Sequence, residues 1–136
     1  MRYAPYQNEY LGSVEFSDQQ QLEYFLTRVF ETEEVWGLDD GTEWIFKTLA
    51  DGSQVMPVWP YNKFATEALN TSDTDIKPQA ESLEDFLYHT LEMLIEEDVS
   101  VEIMPSATKA GCIISPHQLL SILTGMIDAG EYRMDG

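Results

Sequence analysis

Apolar positions in the first third of the chain follow a helical period and then switch to a strand period. Leu22, Phe25, Leu26 and Val29 recur at i, i+3, i+4 and i+7, one face of an amphipathic helix, and Phe30 widens that face. Ser17 with Gln20 three residues on offers a capping box at its start. The helix is expected to end near Glu31. From there the apolar runs shorten. Glu33-Glu34-Val35-Trp36-Gly37-Leu38, Trp44-Ile45-Phe46 and Val55-Met56-Pro57-Val58-Trp59 are aromatic and β-branched runs, and they hold all three tryptophans. Asp39-Asp40-Gly41-Thr42 and Ala50-Asp51-Gly52-Ser53 separate them, and an Asp-Gly pair favours a tight turn because Gly tolerates positive φ. The pattern predicts three consecutive antiparallel strands, a meander onto which the helices pack. Val35 alternates with Trp36, while Trp44 and Phe46 share a face opposite Ile45. Pro57 lacks a ladder donor and is expected at a strand end or an exposed edge.

Beyond the meander, Pro60 opens a short helix with Phe64, Ala68 and Leu69 on its apolar face. Residues 70–80 are polar and rich in turn formers, and read as a loop. Ser82 begins another helix, with Leu83, Phe86, Leu87, Leu91, Leu94 and Ile95 as its core stripe. Val99, Val101 and Ile103 alternate with Ser100, Glu102 and Met104, a half-buried strand. Gly111-Cys112-Ile113-Ile114 is expected to pair with it as a hairpin. Ser115-Pro116-His117-Gln118 is a helix start, and Leu119, Leu120, Leu123, Met126 and Ile127 supply the buried face up to Gly130.

The order α-β-β-β-α-α-β-β-α predicts an α+β fold, an antiparallel sheet of about five strands with about four helices mainly on one face. A single domain is expected over residues 17–130. Residues 1–16 form an arm with Tyr3, Tyr6, Tyr10, Leu11, Val14 and Phe16, either packed on the domain or loose. Residues 131–136 form a polar tail.

Charge narrows the partners. Seven basic against 25 acidic residues gives a formal charge of −18 over 136 residues, which makes nucleic acid and anionic membranes poor partners. A basic protein, or plain solubility, fits. Between Lys77 and Lys109 there is no Lys or Arg, while Glu81, Glu84, Asp85, Glu92, Glu96, Glu97, Asp98 and Glu102 all fall in that gap. Glu96-Glu97-Asp98 sits at a helix end, where negative charge opposes the helix dipole, so local helix stability does not account for it. Cys112 is the only cysteine and, beside Ile113 and Ile114, reads as a small buried hydrophobe. No apolar run reaches the roughly 18 residues of a membrane span. No basic-then-apolar leader pattern opens the chain, so a cytoplasmic setting is expected.

Catalytic constellations are missing from the sequence. His89 and His117 have no cysteine partner at zinc-ligand spacing. Asp73-Thr74-Asp75 lacks the glycine and the distal glutamate of a calcium loop. There is no phosphate-cradling glycine loop and no nucleophile elbow. No catalytic residue, cofactor or metal ligand is nominated, and enzyme activity is not expected. Two function classes remain. One is an acidic interaction module that binds a basic protein, as adaptors or immunity proteins do, through Glu33, Glu34, Trp36, Trp59, Tyr61, Glu96, Glu97 and Asp98. The other is a small-molecule binding domain with a pocket beside the tryptophan-rich sheet. The tryptophans themselves read as sheet core or as a groove in which Trp36 or Trp59 stays partly open.

The blocks Glu33 to Leu38, Pro57-Val58-Trp59-Pro60 and Ser115-Pro116 with Leu119-Leu120, at this spacing, resemble the bacterial domain of unknown function 2750 family. The middle block, Leu83 to Leu87 and then Glu96-Glu97-Asp98 before a strand ending in Met104-Pro105, resembles it as well. The resemblance covers roughly residues 18–127. It implies a fold and a bacterial cytosolic setting, and it carries no active-site residues. Thr90 stands where an aromatic is expected in similar proteins.

Overall fold

The structure, a computed structural model, describes residues 16–69, 75–106 and 109–128. The arm before Phe16, the tail and the expected helix stop at Gly130 lie outside the described residues. The first helix, α1, spans Asp18–Thr32 and carries the expected capping box: Ser17 Oγ accepts from the Gln20 N–H at 3.2 Å, and Gln20 Oε1 accepts from the Ser17 N–H at 2.9 Å. Its buried residues are Gln21, Phe25, Val29 and Thr32, so the inward face lies to one side of the predicted stripe and leaves Leu22 and Leu26 half-buried. Gln21 reaches the carbonyls of Met104 and Ala110, which ties α1 to the far end of the chain. Glu33 ends the helix in the left-handed region (φ 61°), donating its N–H to Val29 O at 2.8 Å.

The remaining elements are β1 (Glu34–Asp39), β2 (Lys47–Thr48), β3 (Gln54–Val58), α2 (Asn62–Ala68), β4 (Lys77–Ser82), α3, β5 (Ser100–Ile103), β6 (Cys112–Ile114) and α4 (Pro116–Asp128). Helix α3 runs through residues 83–97: α-helix over Leu83–Asp85, π-helix over Phe86–Thr90 and α-helix again over Leu91–Glu97. Ser82 caps α3 by accepting from the Asp85 N–H, and Ser115 caps α4 by accepting from the Gln118 N–H, both as the sequence predicts. Cys112 is half-buried rather than enclosed. Burial, with the nearby Asp18 charge adding to it, pushes its thiol above the ordinary range.

The fold is α+β with four helices among the described residues, but its strands form two sheets and not one. β1 pairs antiparallel with β4. The other sheet has the order β2-β3-β5-β6, antiparallel at both ends and parallel between β3 and β5. The β5–β6 hairpin and both Asp-Gly turns stand as expected, with Gly41 at φ 101° and Gly52 at φ 88°. The meander does not. Trp44 only bridges Asp39 and Ile45 donates to Leu38 O at 2.8 Å; the chain then leaves β1, and Lys47–Thr48 pairs with β3. The partner of β1 is instead β4, which falls where the sequence reads as a loop and a helix start. Its composition hides it, because Pro78 and the polar residues around it carry turn signals while forming a half-exposed edge strand. The parallel β3–β5 pair is likewise invisible locally, since parallel strands require a long crossover.

Pro57 stands one residue before the end of β3, near a strand end as expected, but it is buried and not at an exposed edge. The backbone supplies the reason. Val58 O accepts from Met104, so alternate residues face β5 and the missing Pro57 donor faces the β2 side. β2 pairs only with Gln54 and Val55, and it asks nothing of Pro57.

β5 is buried on both faces rather than half-buried. Glu102, expected on a solvent face, is 2% exposed. Its carboxylate forms an ion pair with Lys47 and accepts from the Gly111 N–H at 3.0 Å. Gly111 must be glycine here, because a Cβ would come within 2.2 Å of Ile103 O. Removing one partner of a buried charge leaves the other uncompensated. The half-exposed Lys47→Met is therefore expected to cost about 2–3 kcal/mol in urea unfolding, and adding Glu102→Gln is expected to recover part of that loss. A cost below about 0.5 kcal/mol for the single variant would show that the ion pair does not hold Glu102 in place.

Candidate functional site

The three tryptophans have three fates. Trp59 is 2% exposed and its indole N–H donates to Pro105 O at 2.8 Å. Trp36 is half-buried in β1 and exchanges two backbone hydrogen bonds with Trp59, each 2.8 Å. Trp44 is also half-buried and lies over β1 at Gly37, where a Cβ would stand 3.1 Å from its ring. The glycine gives the indole its seat. The turn before Trp44 is held by Asp39, which accepts from the Gly41 N–H at 2.6 Å, and by Asp40, which accepts from the Thr42 N–H, the Thr42 hydroxyl and the Glu43 N–H. The bonds from Glu43 and then Thr42 hold the Asp40 carboxyl below the ordinary aspartate range.

Beside this turn lies a groove of about 420 Å³ lined by Asp39, Thr42, Glu43, Trp44, Phe46, Met93 and Glu97. Trp44, Phe46 and Met93 are half-buried and form its apolar surface, while Glu43 and Glu97 stand exposed around it. Three carboxylates thus surround an aromatic and thioether surface, and its described lining holds no Lys or Arg. A ring face carries partial negative charge, so both parts of this surface attract a cation. Met93 and Glu97 come from the same face of α3, one turn apart.

One turn earlier on that face is Thr90, at the end of the π-helical stretch and 6% exposed. Its hydroxyl donates to Glu81 Oε1 of β4 at 2.5 Å, joining α3 to the β1–β4 ribbon. In place of the expected aromatic there is a buried polar link. Burial raises the Glu81 carboxyl above the ordinary glutamate value of 4.5; the Thr90 bond opposes this, the Asp85 charge adds to it and His89 opposes it.

Of the residues nominated from sequence, Glu97 alone lines the groove. Trp59 and Tyr61 are core side chains, at 2% and 0% exposure, and neither is open to a partner. Packing onto the helices and the β5 side decides this, and their place beside Pro60 gave no sign of it. Glu96 and Asp98 are exposed at the C-terminal end of α3, with Asp98 as its left-handed cap at φ 57°. Glu33 O accepts from the Leu83 N–H, which sets Glu33 and Glu34 at the opposite end of α3, roughly 20 Å away along the helix. The two acidic groups are separate surfaces. Asp39, Thr42, Glu43, Trp44, Phe46 and Met93 were not nominated. Their available signal was the shared face of Trp44 and Phe46 following an acidic turn.

These features define a single chain of α+β fold with an acid-rimmed aromatic groove at one end of a two-stranded ribbon. A family model described as a protein of unknown function, DUF2750, matches residues 22–123, and the chain belongs to that family. The matched span includes every groove residue. No curated protein matches the chain. No helix among the described residues is long and apolar enough to cross a membrane.

The raised Glu81 has a measurable consequence. The folded protein holds this proton more tightly than the unfolded chain, so the associated stability is fully present below 4.5 and is lost as pH rises through the higher folded value. Glu81→Gln removes the titration and keeps an acceptor for Thr90. In urea unfolding, the wild type should gain stability relative to Glu81→Gln as pH falls from 7 toward 4.5. Parallel stability curves for the two proteins would contradict the burial of this carboxyl.

Proposed function

We propose that this protein is a non-enzymatic binding module that receives a basic protein partner, with a cationic side chain of that partner seated on Trp44 in the groove. The observation that carries the reading is the ring of Asp39, Glu43 and Glu97 around Trp44, Phe46 and Met93. The aliphatic stem of an Arg or Lys suits the apolar surface, and its charged head suits the rim. Cation–π attraction contributes about 0.5–2 kcal/mol, and each exposed charge pair up to about 1 kcal/mol. The formal charge of −18 adds long-range attraction for a basic partner and speeds its approach at low salt. A bacterial cytosolic setting belongs to the same proposal.

The groove's volume of about 420 Å³ also favours a second reading, a small-molecule site. Salt separates the two, since an acidic surface loses affinity as ionic strength rises and an apolar pocket does not. The test is a titration with a short arginine-containing peptide, read by the Trp44 indole N–H in an NMR spectrum. The variant Glu43→Gln/Glu97→Gln should bind about tenfold more weakly with a flatter salt dependence. Its unfolding free energy should stay within about 0.5 kcal/mol of the wild type, because both carboxylates are exposed. Equal affinity of variant and wild type at every salt concentration would overturn the protein-partner reading. Salt-independent binding of an uncharged aromatic compound in the same groove would establish the other.

A further inference from the structure

Helix α3 is out of phase with a regular helix, and the offset aims Met93 and Glu97 at the groove. Successive residues of an α-helix are about 100° apart. Counted from Leu83 without interruption, Glu97 would come round to within about 40° of Leu83, and Leu91 would stand about 80° away. The core side would then gain a carboxylate and lose a leucine. The structure has the reverse: Leu83 and Leu91 are buried, at 1% and 0% exposure, and Glu97 is exposed. The π-helical stretch over Phe86–Thr90 makes the difference. After it, the Leu91 N–H donates to Phe86 O, five residues back, so the turn takes in one extra residue and everything beyond lags by about 100°. Leu91 comes in, while Met93 and Glu97 go out to line the groove. Leu83, Phe86 and Leu87 before the turn and Leu91 and Leu94 after it are all buried, so both halves are anchored and the phase change is confined between them.

We propose that Thr90 is the latch that holds this turn, and is thereby a positioning residue for the cation site, acting through Met93 and Glu97. This rests on the groove's being a cation site.

A helical threonine commonly satisfies its hydroxyl within its own helix, on the carbonyl four residues back. Thr27, Thr32 and Thr124 do so, on Glu23, Arg28 and Leu120. Thr90 does not. The carbonyl four residues before it is Phe86 O, which takes the Leu91 N–H, and the hydroxyl crosses instead to Glu81 Oε1 of β4 at 2.5 Å. At 6% exposure it has little water to turn to if that bond is lost. The bond ties the last residue of the π stretch to the ribbon that carries the other wall of the groove. β4 pairs with β1, whose Gly37 seats Trp44 and whose last residue is Asp39. The latch thus sets the helix wall, Met93 and Glu97, against the ribbon wall, Asp39 and Trp44.

The experiment uses the full chain with Thr90→Val, which keeps the side-chain shape and removes the hydroxyl, and Thr90→Ser, which restores it. Amide hydrogen exchange at Leu91 reads the turn without a ligand. Titration with acetyl-Gly-Arg-Gly-amide on the Trp44 indole N–H reads the site. In Thr90→Val, exchange at Leu91 should speed up about tenfold, as the loss of one buried hydrogen bond implies, while the amides of β5 keep their protection. The peptide should bind about fivefold more weakly, and Thr90→Ser should regain both values. In a Glu97→Gln background the same Thr90→Val change should weaken binding by less than about twofold, because the charge it positions is gone. A threonine that only supported the fold would not show that dependence on Glu97. Unchanged Leu91 exchange in Thr90→Val would overturn the latch. Faster exchange with unchanged affinity, or an equal loss with and without the Glu97 carboxylate, would overturn the positioning role and leave the cation site standing. A wild type that binds no peptide would remove the cation reading itself, and this role with it.

Discussion

The architecture depends on the pair of backbone hydrogen bonds between Trp36 and Trp59. The two sheets share no strand, and this antiparallel bridge is where β1 of one meets the end of β3 of the other. Such bonds contribute about 0.5–1.5 kcal/mol each, and more is lost when a buried partner is left unmade. Trp59 is fastened again through its indole to Pro105, beyond the end of β5. The join therefore links β1, β3 and the exit of β5 at one point. Core residues of α1, α3 and α4 pack in one cluster with it.

The groove follows from that join. Trp36 is pinned to Trp59 through the backbone, and its neighbour in β1, a glycine, opens on the opposite face of the strand. Trp44 occupies the space above it. α3 closes the other wall because Thr90, at the π-helical stretch, bonds to Glu81 of β4. A π turn shifts the residues after it relative to a regular helix, and Met93 and Glu97 are the ones shifted here. The carboxylates oppose the dipole of α3 at its C-terminal end, and in our reading they serve recognition at that cost.

Much of the fold was legible in the sequence because it is local. The serine helix caps, the amphipathic stripes, the Asp-Gly turns and the β5–β6 hairpin all arise between residues close in the chain. What was not legible is pairing at a distance. β4 reads as a loop because Pro78 and its polar neighbours suit an edge as well as a turn. Pro57 reads as a strand end or an exposed edge, and it is tolerated in a buried strand because β2 pairs only with Gln54 and Val55. Glu102 alternates as a surface residue should, yet it is buried, with its carboxylate on Lys47 and the Gly111 N–H. The site divides the same way: the acidic end of α3 was visible, and Glu97 proves to line the groove. Asp39 was read only as a turn former and Trp44 only as a strand residue. Trp59 and Tyr61 looked available because sequence reports aromatic character and not which side of a sheet the helices cover.

Native-state hydrogen exchange at the Trp36 and Trp59 amides tests the central claim most directly. If this bridge joins the two sheets, both amides should exchange only through global unfolding, with the same opening free energy as the amides of β5. Exchange of Trp36 through a lower-energy local opening, while β5 stays protected, would contradict it. The β1–β4 ribbon would then open independently, and the groove would not rest on a fixed wall.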